Sequence, residues 1–157
     1  MNEELIEQYA RGGEKLRLAV RGLSSEELKE FPVPGTWSIQ QIIIHLMDSE
    51  LISADRMKRI IAEDNPTLIG YDETKFSKNL HYHDQSAADA ITILDLNRKL
   101  FAQVLRRLPA ETFNRTGMHS ERGKISLGEY LQSVVNHLEH HLKFVYEKRE
   151  KLGKMSW

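Results

Sequence analysis

The strongest constraint on the fold is an apolar repeat of three to four residues. It recurs in four long stretches and is nowhere replaced by sustained period-two alternation. The first stretch covers about 2–22, with Leu5, Tyr9, Leu16 and Val20 on one face. Gly12 and Gly13 weaken its middle, by about 1 kcal/mol per glycine relative to alanine. Ser24-Ser25-Glu26-Glu27 reads as the start of a short extra turn, and Phe31-Pro32-Val33-Pro34-Gly35 then breaks the chain. The second stretch, 38–64, opens on a capping box of Ser38 and Gln41, with Trp37 and Ile42 spaced for a hydrophobic staple. Its stripe is Ile39, Ile42, Ile43, Leu46, Met57, Ile60 and Ile61. The third, 86–108, carries Ile91, Leu94, Leu100, Val104, Leu105 and Leu108. The fourth, 126–150, opens on a second capping box, Ser126 with Glu129. It carries Leu127, Leu131, Val134, Val135, Leu138, Leu142 and Val145 before fraying through Lys148-Arg149-Glu150-Lys151.

Four such helices in 157 residues predict an all-α four-helix bundle forming one domain over 1–157. The link from Asn65 to Gln85 is about 20 residues, long for a compact domain. A link of that length can cross over and leave the second and third helices parallel, where a short one would make them antiparallel neighbours. The link from Pro109 to Ile125 is also long. No segment alternates in the manner of a strand, so both links are expected to be loops.

Charge is close to balanced, with 22 basic and 23 acidic residues, so no face reads as a footprint for nucleic acid. Arg106-Arg107 and Lys148-Arg149 read as solvated helical pairs. The chain has no cysteine, which excludes disulfides, thiolate ligands and a cysteine nucleophile. The acidic start Met1-Asn2-Glu3-Glu4-Leu5 has no apolar core of a secretory signal, and no apolar run approaches the ~20 residues that span a bilayer. A soluble cytoplasmic protein is the expectation.

Three histidines carry the chemistry. His137 and His141 are four residues apart and share one helical face. His45 lies beside the apolar stripe of the second helix, about seven residues and roughly 10 Å from its start. His141 is about nine residues and roughly 14 Å from the end of the fourth. If those helices are antiparallel neighbours, the three imidazoles meet at one depth. Any one alone reads as a core histidine bonded to backbone or tyrosine. Together they predict a mononuclear metal site, and three protein ligands with an open position is how catalytic zinc is held. Glutamate-containing helical motifs are absent. Leu138 follows His137, His140 precedes His141, and Glu139 lies about 200° around the helix from His137.

The remaining candidates are individually weaker. Asp48, one turn after His45, can orient a ligand, hold metal-bound water or act as a base, and equally can be a surface carboxylate. His140 points about 100° from the ligand face and reads as surface or as a neighbour of the ligands. His81, His83 and His119 read as solvated loop histidines, and Trp37 as a staple rather than a substrate platform. Asn136 is open between surface and site.

Gly35-Thr36-Trp37-Ser38-Ile39 leading to His45-Leu46-Met47-Asp48-Ser49-Glu50 resembles the first signature of the DinB (YfiT-like) superfamily. Thr116-Gly117-Met118-His119-Ser120-Glu121-Arg122-Gly123, followed by His137-Leu138-Glu139-His140-His141, resembles its last. Tyr71-Asp72 falls where such proteins often carry a similar pair. The resemblance implies an up-down-down-up bundle and a divalent metal, zinc or nickel, on His45, His137 and His141. It also implies a possible homodimer. The activity it implies is thiol S-transfer with a low-molecular-weight thiol cosubstrate, or hydrolysis of a small molecule. A bundle that holds metal without catalysis and acts through a protein partner is the alternative reading.

Overall fold

The structure, a computed structural model, describes residues 2–154; Met1 and 155–157, within the expected domain of 1–157, lie outside the described residues. The first amphipathic stretch forms α1 (Asn2–Ala10) and α2 (Gly12–Val20), separated at Arg11. A short α3 (Ser25–Lys29) follows on a Ser24–Glu27 capping box. The second stretch is α4 (Ile39–Ala62), where Ser38 Oγ accepts from the Gln41 amide at 3.1 Å and Gln41 Oε1 accepts from the Ser38 amide at 3.0 Å. Within the first long link lies α5 (Glu73–Asn79); α6 (Ala87–Arg106) is the third stretch and α7 (Leu127–Lys151) the fourth. The Ser126–Glu129 box opens α7, which stays helical through the segment expected to fray.

Contacts along the helices fix their directions. Gln40, in the first turn of α4, donates to the Tyr82 and Gln85 carbonyls just ahead of α6, and Glu50 meets Asn97 and Arg98 halfway along both helices. Thus α4 and α6 run parallel. Lys148, late in α7, bonds Thr36 ahead of α4, while Arg56, late in α4, bonds Tyr130 at the start of α7. Those two helices are antiparallel. The Glu7–Arg106 and Arg17–Asp95 pairs run the first stretch against α6, and Lys15–Glu139 aligns it with α7. The bundle is up-down-down-up, with the long crossover joining its two parallel helices.

Two apolar clusters fill the bundle. Tyr9, Met57, Ile60, Phe101, Leu105 and Leu131 centre one. Leu16, Ile39, Ile43, Leu94, Leu138 and Val145 centre the other. A layer of buried polar side chains lies between them and includes Glu50, Asp95 and Arg98. This layer corrects the expected stripe of α6: Leu100 is 65% and Val104 44% exposed, because Arg98, Phe101 and Ala102 occupy the inner face. The buried pair Lys148-Arg149 is a second correction. Lys148 donates to Thr36, and Arg149 donates to the Lys154 and Ala19 carbonyls. The Arg106-Arg107 pair is exposed, as expected.

The two links are not plain loops. Strand β1 (Thr67–Leu68) pairs in parallel with β2 (Thr116–His119), which pairs antiparallel with β3 (Gly123–Ser126). A three-stranded sheet therefore overturns the expectation of no strands, although the bundle remains the fold. Strands of two to four residues are too short for alternation to register, and Leu68 finds its partner, His119, across the two links. Arg115 braces this sheet against the bundle, donating to the Ile60 and Glu63 carbonyls at the end of α4.

The Gly12-Gly13 pair has a packing cause. A Cβ on Gly13 would lie 2.4 Å from Asp95 Cβ and 2.6 Å from its Cα, and one on Gly12 would lie 2.2 Å from the Arg98 guanidinium. Helices α2 and α6 approach too closely for a side chain. Gly13→Ala should therefore destabilise the protein by about 2 kcal/mol in urea unfolding, overpacking outweighing alanine's helix propensity of about 1 kcal/mol.

Candidate metal centre

His45 is the seventh residue of α4, held with no exposure between the apolar residues that α4 turns inward. His137 and His141 project from α7 one turn apart, and antiparallel packing brings all three to one height. Ring centroids are 5.1 Å apart for His45–His137, 4.8 Å for His45–His141 and 4.6 Å for His137–His141. One nitrogen from each can be chosen so that all lie within 4.8 Å of one another.

The residues fit a metal ion. The Nε2 atoms of His45 and His137 are 3.2 Å apart, close to the ~3.3 Å that separates two nitrogens on a tetrahedral ion at 2.0–2.1 Å. His141 Nδ1 is buried without a hydrogen-bond partner, a condition an ion relieves; His45 Nδ1, on the far side of its ring from Nε2, is likewise buried and calls for a water or other partner of its own. Burial, then the His137 and His141 rings, lowers His45 from 6.5 to about 3. Burial lowers His137 to about 4, aided by the Arg98 charge and His140. Burial, with His137 and His140, lowers His141 to about 4. All three are neutral at neutral pH, so their nitrogen lone pairs are available. Glu139, expected to face away, pairs with Lys15 instead.

A polar cavity of about 220 Å³ adjoins His137. The buried Glu50–Arg98 ion pair forms one wall, at 2.7 Å. Glu50 also accepts from Asn97 at 2.9 Å and from the Tyr9 hydroxyl. Arg56 and Tyr130 line the cavity and bond each other at 2.9 Å. The Tyr71 hydroxyl is buried there beside Ser49 without a well-formed hydrogen bond. His119, expected to be solvated, is 6% exposed and lines the same cavity. Its Nδ1 accepts from the Glu121 and Arg122 amides at 3.1 and 3.2 Å, so the proton sits on Nε2.

Other candidates are placed as follows. Asp48 is half-buried and accepts from the Tyr82 hydroxyl at 2.7 Å; the residues lining the polar cavity do not include it. Trp37 packs against the apolar cluster centred on Leu16, Ile39 and Ile43 and also places its ring 5.1 Å from that of His45, so it is both staple and wall of the site. His140 is exposed, its ring against His141 and Phe144. His83, expected to be solvated, is half-buried and bonds Ser38 Oγ at 2.8 Å, while His81 is exposed. Asn136 is exposed and accepts from Gln132. Asp72 caps α5 through the Lys75 amide.

Glu50, Arg98, Arg56 and Tyr130 were not singled out from the sequence. Their signal is a gap in the apolar period. Between Met47 and Met57 the buried positions of α4 are Glu50, Ser53, Ala54 and Arg56, and in α6 Arg98 stands where an apolar residue is expected.

Comparison with known proteins agrees with this geometry. The family model described as the DinB superfamily matches residues 8–145, and the chain belongs to that superfamily. A protein of Oceanobacillus iheyensis, named provisionally as a metal-dependent hydrolase, is 30% identical over 83% of this chain and 75% of its own. One of Bacillus mycoides with a similar name is 26% identical over 98% of this chain and 90% of its own. The solved structure of YfiT from Bacillus subtilis, titled as a probable metal-dependent hydrolase with an unusual four-helix bundle topology, superimposes with a TM-score of 0.91. It is 25% identical, covering 98% of this chain and 88% of that one. No described helix is long and apolar enough to cross a membrane.

The depressed histidines carry a pH signature in metal-free protein. Unfolding returns them toward 6.5, so between about 4 and 6.5 the unfolded chain binds more protons than the folded one. Stability should therefore fall as pH drops through that window and level off above it. Urea unfolding at about pH 7 and about pH 5 measures the slope, which His45→Leu should make shallower. A slope unchanged by that substitution would contradict a neutral, buried imidazole at position 45.

Proposed function

We propose that this protein is a metal-dependent enzyme in which His45, His137 and His141 hold one divalent ion, zinc or nickel, and a small molecule reacts in the adjoining polar cavity. The observation that carries this reading is the convergence of three neutral imidazoles, with unpartnered buried nitrogens, beside a cavity. When bound, such an ion lowers the pKa of a coordinated water or low-molecular-weight thiol and so supplies a nucleophile at neutral pH. Hydrolysis and thiol S-transfer both follow from that chemistry, and the named relatives favour hydrolysis.

The chain's own residues set the rest of the reaction site. His119, protonated on Nε2, offers a hydrogen-bond donor to a substrate oxygen in the cavity. Arg56 and Tyr130 hold each other on the same wall and orient a polar substrate there. Asp48 acts as a positioning residue: it fixes Tyr82, whose ring packs on Trp37, which in turn packs on His45. Glu50 and Arg98 keep the floor charged and rigid behind His137.

We also propose a cytoplasmic homodimer. Ile93, Leu96, Leu100 and Val104 form an exposed apolar strip along α6 at helical spacing, which supports an interface there. Leu100→Glu should shift the protein to monomer in light scattering, with the fold intact by circular dichroism.

Metal analysis tests the central reading. Purified protein should carry about one equivalent of zinc or nickel, one ion for three converging imidazoles. His137→Ala or His141→Ala should lose it while remaining folded, because the apolar faces that build the core are untouched. His140→Ala should keep it. Esterase and thiol-transfer screens of the loaded protein then separate the two reactions. Metal-loaded protein inactive in both screens would instead favour the bundle that holds metal without catalysis and acts through a protein partner, and folded protein that binds no divalent metal would overturn the reading.

A further inference from the structure

A second cavity, of about 230 Å³, adjoins the centre on the His141 side. Its walls are apolar: Val33, Trp37, Ile42 and Phe144. Lys148 also lines it, 4% exposed, although its sequence context reads as solvated helix surface. The ammonium donates to the Thr36 hydroxyl, and no described carboxylate forms an ion pair with it. Glu147 borders the same cavity but is exposed and is Lys148's immediate helical neighbour, a spacing at which side chains do not face each other. A buried ammonium with one neutral partner costs free energy that an anion would offset. Burial lowers its pKa, and the charge of the neighbouring Glu147 carboxylate offsets this only in part. Lys148 lies two turns after His141 on α7, about 10 Å along the axis. Helical side chains lean toward the N-terminus, so the ammonium reaches back over part of that distance. At roughly 30 Å³ per water-sized group the cavity takes about eight non-hydrogen atoms.

We propose that this cavity binds an apolar molecule of about six carbons whose terminal carboxylate pairs with Lys148 and whose other end lies against His141. The binding site stands on its own observations. Only the statement that the far end is the reacting end rests on the enzymatic reading above. Where the ion is also reached from this second cavity, on the His141 side, the distance from Lys148 to the histidines selects substrates by the length between their anionic group and their reacting atom.

Hexanoate and its neutral analogue 1-hexanol test the proposal by calorimetry on the full chain, with and without loaded zinc. Wild-type protein should bind hexanoate at least about tenfold more tightly than hexanol, in both forms. Lys148→Met should abolish that preference while leaving hexanol binding unchanged, and Lys148→Arg should retain it. Val33→Trp, which fills the cavity without touching the charge, should weaken both ligands, so the proposal remains testable if Lys148→Met does not fold. In metal-free protein, hexanoate should shift the His141 ring resonances and leave exposed His81 unmoved. Equal binding of acid and alcohol, or hexanoate affinity unaffected by Val33→Trp, overturns the site. Hexanoate selectivity that appears only with zinc and survives Lys148→Met places the anion on the metal and also overturns it. Failure to bind metal would overturn the proposed enzyme while leaving selective hexanoate binding intact, so the two failures are distinguishable.

Discussion

Everything else in the bundle is arranged around one buried carboxylate. Glu50 has no exposed side-chain surface, and it accepts from Tyr9 on α1 and from Asn97 and Arg98 on α6. An ion pair in an apolar bundle is tolerable only when its remaining hydrogen-bonding capacity is satisfied. Here that requirement ties α1, α4 and α6 together at one height. Arg98 completes its own set by donating to the Tyr9 carbonyl and lying over the Tyr9 ring. Hydrophobic burial sets how much stability the bundle has; this network sets which residues face each other across it. The same pair lines the cavity beside His137, so the interaction that registers the helices also shapes the site.

Access to the histidines is correspondingly asymmetric. On the His137 side the lining is charged and hydrogen-bonded; on the His141 side it is mostly apolar with one ammonium. Two neighbouring residues of one helical face thus look into environments of different polarity. Arg115 binds the carbonyls at the end of α4, and β1 and β2 clamp the two long links together. His119 is therefore presented to the cavity from a braced segment rather than a free loop.

The four helices, their caps and the three histidines were legible because each is a local or periodic signal. Ser38 with Gln41 and Ser126 with Glu129 mark starts within four residues, and His137 with His141 declares a face. Parallel packing of α4 and α6 was readable from one long link. What was not legible depends on contacts distant in sequence. Leu68 pairs with His119, giving strands too short to alternate. Lys148 is buried because Thr36 and the turn around it fold over the end of α7. Leu100 and Val104 were assigned inward because apolar character outweighed Arg98 in the pattern. A buried arginine reads as an outward residue until its carboxylate partner on another helix is known.

The glycine pair in α2 has a consequence beyond packing. Because α2 rides directly on Asp95 and Arg98, any side chain there would push α6 away, and with it the guanidinium that neutralises Glu50. The distance between two helices that carry no ligand thereby governs the electrostatic potential at His137. Sequence change at positions 12 and 13 is a route by which the affinity of the centre for a cation can drift while all three histidines stay in place.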